Sequence, residues 1–158
     1  MTQTYTVERS VHIDGPRQEV YDRIVDLHRW ESWSPYEELD PNMSKTYSGA
    51  ESGVGAAYAW SGNMKAGTGS MEITEATVPE RIVLDLAFTK PFKSGSEVTF
   101  AIAEADGGSD VTWTTSGPTN WFTKILSVFS TPDKVMDKMM GKAFEQGLAS
   151  LKAEVEAA

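Results

Sequence analysis

The chain has 158 residues, 40% hydrophobic and 10% aromatic, a size at which one domain closes a core without metal or disulfide staples. Fourteen basic against 23 acidic residues leave a net charge of −9, which repels nucleic-acid phosphates and anionic membrane surfaces. The absence of cysteine removes thiol nucleophiles, cysteine zinc sites and disulfide frameworks, and fits a reducing compartment.

Thr4 to Ile13 alternates, with Tyr5, Val7, Val11 and Ile13 on one face and Arg9 falling on that same apolar side. Asp14-Gly15-Pro16 turns into a helix carrying Val20, Tyr21, Ile24, Val25 and Leu27, expected to stop near Asp26 to His28. A second short helix then places Trp30 and Trp33 on one side and is expected to end at Pro35. Weak strand character over Lys45 to Ser48 precedes a glycine-rich loop, Gly49 to Gly55, and further strands follow over Ala56 to Ser61, Thr68 to Ala76, Arg81 to Thr89 and Ser96 to Ala103. Val111, Trp113 and Thr115 share a face of the last strand, which Ser116-Gly117-Pro118 is expected to break. Thr119 to Phe129 has helical spacing. A long amphipathic helix begins at Thr131-Pro132, with its stripe running from Val135 and Met136 through Met140, Phe144 and Leu148 to Val155. One-sided antiparallel strands of this kind need a cover on their apolar face, and the last helix supplies it.

Several segments resemble the SRPBCC superfamily, the helix-grip fold shared by START lipid-transfer domains, the birch-pollen allergen class and polyketide cyclases. They are Tyr5 to Ser10 with Ile13-Asp14-Gly15-Pro16 and Glu19-Val20-Tyr21, Trp30-Glu31-Ser32-Trp33-Ser34-Pro35, Gly67 to Glu75, Trp113 to Pro118 and Met139 to Lys152. The resemblance covers nearly the whole chain and is nearest to bacterial single-domain members described as polyketide cyclase/dehydrase-like. It implies an α+β helix-grip fold over residues 1–158: a curved antiparallel β-sheet wrapped around a long C-terminal α-helix, with two short helices after strand 1. It also implies an apolar cavity between sheet and helix. The inward register would line that cavity with Trp60, Met71, Ile73, Phe88, Phe100 and Trp113 from strands, and with Phe122, Phe129, Met136, Met140 and Phe144 from the helical cover, some of them plain core.

The polar inventory offers little for catalysis. His12 and His28 read as exposed, neither has the i, i+4 partner of a helical metal site, and no metal or cofactor is expected. Gly49 to Gly55 lacks the Gly-Lys-Ser/Thr ending of a phosphate-binding loop, and the Ser-Gly pairs are turn chemistry with no histidine nearby. Candidates near the apolar register are Arg9, Glu75, Thr115, Tyr21 and Tyr58. Arg9 would orient a carboxylate or enolate, or else pair with a surface acid such as Glu75.

The expected function is binding of a small hydrophobic or amphipathic ligand, lipid or polyketide-like. A polyketide cyclase or dehydratase and a protein-interaction or chaperone-cofactor module are the alternatives. No nucleic-acid partner or stable membrane association is expected, and a cytoplasmic location fits the absence of a leader in Met1 to Tyr5 and of a bilayer-length apolar run.

Overall fold

The computed structural model describes residues 4–38, 40–64, 66–90, 93–118 and 132–158. Strand β1 (Thr4–Ile13) leads into helix α1 (Arg17–Val25) and two 3-10 turns, Leu27–Ser32 and Pro35–Glu38. Strands β2 (Ser44–Gly49), β3 (Ala56–Ser61), β4 (Thr68–Thr77), β5 (Arg81–Lys90), β6 (Ser94–Ala105) and β7 (Gly108–Pro118) follow, and helix α2 (Pro132–Ala157) ends the chain. The sheet is antiparallel in the order β1-β7-β6-β5-β4-β3-β2, so the first and second strands of the chain are its two edges. The Thr119 to Phe129 helical expectation lies outside the described residues.

Two boundaries differ from expectation. Pro35 starts the second 3-10 turn as well as following the first, because its fixed φ suits a helical first position. Pro118 does not break β7; it closes the ladder opposite Thr4, the terminal pair, where a missing N–H costs no interior bond.

The tryptophans explain how one end of the apolar face is filled. The last carbonyls of α1 have no partner within the helix. Trp30 Nε1 donates to Ile24 O at 2.8 Å and Trp33 Nε1 to Arg23 O at 3.1 Å, so both indoles are fixed beneath that helix end. They meet Phe100 edge-on at 5.7 and 6.0 Å. Arg23, almost fully buried, bonds Glu19 at 2.7 Å and Glu154 at 3.2 Å and so joins α1 to α2.

Helix α2 packs along β1. One of its two interior glycines, Gly141, would cost roughly 0.5–1 kcal/mol against alanine on helix propensity alone. A Cβ there would stand 2.1 Å from Arg9 Nη2, so the glycine gives the guanidinium its passage across the helix to Asp137, which it bonds at 2.7 and 2.8 Å. Farther along, Lys152 Nζ donates to His12 O at 2.9 Å, and Asp14 N donates to Glu156 at 2.9 Å.

His12 lies in this junction, with Nδ1 2.8 Å from Asp110 and Nε2 3.1 Å from Asp14. Its pKa is raised, first by the bond to Asp110. A raised folded-state pKa gives stabilisation that is complete below the unfolded value, about 6.5, and lost as pH rises through the folded value. The melting temperature is therefore expected to fall between pH 6 and pH 9, and His12→Gln is expected to flatten that slope. An identical slope in the variant would remove His12 as its cause.

Candidate functional site

Directly opposed residues in antiparallel pairs share a face. The register therefore sorts the inward side chains into rows across the sheet. One row runs Tyr47, Tyr58, Met71, Leu86, Ser96, and its neighbour runs Trp60, Gly69, Phe88, Ser94. A third runs Ile73, Leu84, Val98, Thr115, Val7, and a fourth Ile82, Phe100, Trp113, Arg9. The rows differ in burial. Ile73, Leu84, Ile82 and Phe100 are fully buried, whereas Trp60, Met71, Leu86 and Phe88 keep partial exposure although they point inward. They face a void of about 280 Å3, close to the lower end of small-molecule sites, about 300 Å3.

The void lies on the concave face beside the Trp30/Trp33 plug, with Trp30 forming part of its wall. Of the residues expected to line it, Trp60, Met71, Phe88, Trp113, Met140 and Phe144 do. Ile73 and Phe100 do not, a correction: they point inward but are fully buried by the tryptophans and the neighbouring strands, while Val98, Thr115 and Trp113 of the same rows reach the void. Phe122 and Phe129 lie outside the described residues, and so does the side chain of Met136. Periodicity does not reach the wall provided by Tyr36, Glu37, Met43 and Ala66, which comes from turns and loops; Tyr5 and Leu27, on apolar faces that periodicity does mark, complete it. Thr115, a polar candidate near the apolar register, does line the void, and Ser96 lies on the inward register as well, where its polarity conceals it.

The walls are aromatic and ordered. Trp113 stacks on Phe144 with centroids 4.1 Å apart and planes at 10°, Tyr58 stacks on Trp60 at 5.7 Å, and Phe88 meets Trp60 edge-on at 5.4 Å. Trp60 is oriented by Nε1 donating to Ala66 O at 2.9 Å. Gly69 lets that ring lie across β4: a Cβ would meet Ala87 O at 2.4 Å and the indole at 2.8 Å. Since the carbonyl is backbone and cannot give, Gly69→Ala is expected to destabilise by about 1–3 kcal/mol, with a change in tryptophan emission. A variant of unchanged stability and emission would show that Trp60 has another way to lie.

Burial raises the phenols around the void. Desolvation is the largest cause for Tyr5, Tyr36 and Tyr58, partly offset at Tyr5 by Ser96 and reinforced at Tyr58 by Glu37. These phenols are neutral hydroxyls that donate hydrogen bonds and do not serve as bases at neutral pH. Two buried polar atoms of the lining, Tyr58 Oη and Trp113 Nε1, have no partner among the described residues.

The other polar candidates are used elsewhere. Arg9 is not at the cavity wall; its fork is held by Asp137, and the surface partner is therefore Asp137 and not Glu75, which pairs with Arg81 at 3.4 Å. Tyr21 is buried in the core and does not line the void. His28 stacks on Tyr47 at 4.0 Å. Among the described residues no three metal-capable side chains converge, and no helix is long and apolar enough to cross a membrane.

The model of the family described as polyketide cyclase / dehydrase and lipid transport matches residues 4–156. The chain belongs to that family. This is the SRPBCC group with the helix-grip fold, and the solved structures agree in architecture. Protein CV1439 from Chromobacterium violaceum superposes with a TM-score of 0.67 at 17% identity, covering 96% of each chain. Ara h 8.0201 gives 0.65 at 14% identity, over 99% of this chain and 100% of that one. DynU16, a protein of the dynemicin biosynthetic locus, gives 0.64 at 14% identity over 96% of this chain and 47% of its own. At these identities the likeness is one of fold. Comparison with curated protein sequences gives no match.

Proposed function

We propose that this SRPBCC domain, a single unit over the whole chain, binds a small hydrophobic or amphipathic molecule in the cavity between the sheet and α2. The observation that carries the reading is the partial exposure of Trp60, Met71, Leu86, Phe88 and Met140 on an inward-facing surface, where a filled core would have sealed them. Covering such walls is favourable at roughly 25 cal/mol per Å2 of apolar area. Membership of a family that includes lipid transport supports the reading. A catalytic role for Arg9 has no support, because its guanidinium is committed to Asp137.

Native mass spectrometry of freshly purified protein, with a thermal-shift screen of fatty acids and polycyclic aromatics, tests it. A ligand at 100 times its Kd is expected to add about 2.7 kcal/mol of stability. No retained mass and no shift from any compound would end the proposal.

A further inference from the structure

The cavity has a chemical signature beyond being apolar. Among the described residues that line it there is no Lys, Arg or His, and its one ionisable acid is Glu37. Among the described cations, Lys45, bound to the lining residue Glu37 at 2.7 Å, is also held by Glu31 at 2.6 Å and does not line the void. A ligand carboxylate or phosphate would therefore be desolvated beside Glu37 with no cation among the described lining residues to receive it, an unfavourable arrangement for a buried charge.

What the walls do offer is neutral donors. Tyr58 is 7% exposed and Trp113 2%, and among the described residues neither the O–H nor the N–H has a partner. A buried donor left unpaired is unfavourable, and a ligand oxygen that accepts from it removes that penalty. The two donors stand on β3 and β7, with three strands between them, so one small acceptor engages only one of the pair. Tyr58 is the better placed, between Trp60 and Met71 at the half-buried end of the wall.

We propose that the site selects neutral ligands bearing a carbonyl or similar acceptor oxygen over anionic amphiphiles, with Tyr58 Oη as the donor that reads this oxygen. This rests on the cavity being the binding site.

Three probes of nearly equal shape separate the terms: 2-acetylnaphthalene, 2-naphthoate and 2-isopropylnaphthalene, titrated calorimetrically at neutral pH. The ketone is expected to bind about five- to tenfold more tightly than the hydrocarbon, the worth of one net hydrogen bond, and more tightly still than the carboxylate. Tyr58→Phe is expected to bring the ketone down to the hydrocarbon's affinity and leave the hydrocarbon unchanged. The unliganded variant should melt no lower than the parent, since the hydroxyl it loses has no partner among the described residues; a merely structural tyrosine would lose stability. Equal binding of all three probes, or a ketone preference that survives Tyr58→Phe, overturns the selection while the cavity reading stands. Binding of none of them overturns both.

Discussion

Phe144→Ala is expected to lower the unfolding free energy by about 3–5 kcal/mol, measured by urea denaturation. Phe144 is 1% exposed and lies flat against Trp113, whose other aromatic neighbours include Phe100, Trp33, Trp30 and Tyr36. Deleting the ring removes its own buried area and the face-on partner of Trp113 together. The void so made adjoins the existing cavity, so neighbours have little means of collapsing into it, and the loss belongs in the upper part of that range. Phe144→Leu keeps most of the volume and is expected to cost less than about 1.5 kcal/mol. A loss below about 1 kcal/mol for the alanine variant, small for a buried phenylalanine, would show that α2 is held to the sheet by its polar ties and not by this stack.

The second large effect concerns binding. Met140→Trp is expected to weaken binding of 2-acetylnaphthalene at least about tenfold, the worth of some 1.4 kcal/mol, while leaving the fold intact. Met140 projects from α2 into the void and is only partly buried. Enlarging a residue inside a packed core typically costs about 1–3 kcal/mol in strain, but here the added ring enters unfilled space. Loss of affinity with an unchanged melting temperature is therefore the expected pair of results. Retained affinity in a folded variant would place the ligand outside the cavity.

Much of the fold is legible in the residue pattern, since β1, β3, β5 and β6 follow period two closely and α2 follows its three- and four-residue stripe. The cavity is legible only in part, and strand β5 shows why. Ile82, Leu84, Leu86 and Phe88 alternate identically and face the same side, yet the first two are solid core and the last two border the void. Alternation reports the face of a strand and not the distance along it at which a cover stops. That boundary is set by Trp30 and Trp33, which arrive from a turn far away in sequence and are anchored by carbonyls of α1. Arg9 shows a second limit. Its inward register is correctly read, but its partner sits on a helix 128 residues later, and the clue, a glycine in the middle of that helix, has meaning only once both are in place.

The pairing of the first strand with the last helix also bears on how the chain reaches its native state. Contacts such as Arg9 with Asp137, Lys152 with His12 and Asp14 with Glu156 close loops of 128, 140 and 142 residues. Topologies dominated by such distant contacts fold slowly, in milliseconds to seconds. In chain order β2 to β7 precede α2, so the concave side of the meander has no helical cover until α2 has been made. Until then Phe100, Trp113 and their neighbours are exposed on an open sheet, the kind of surface that aggregates or recruits chaperones. Sealing that surface thus waits on α2, and it coincides with the formation of the cavity itself.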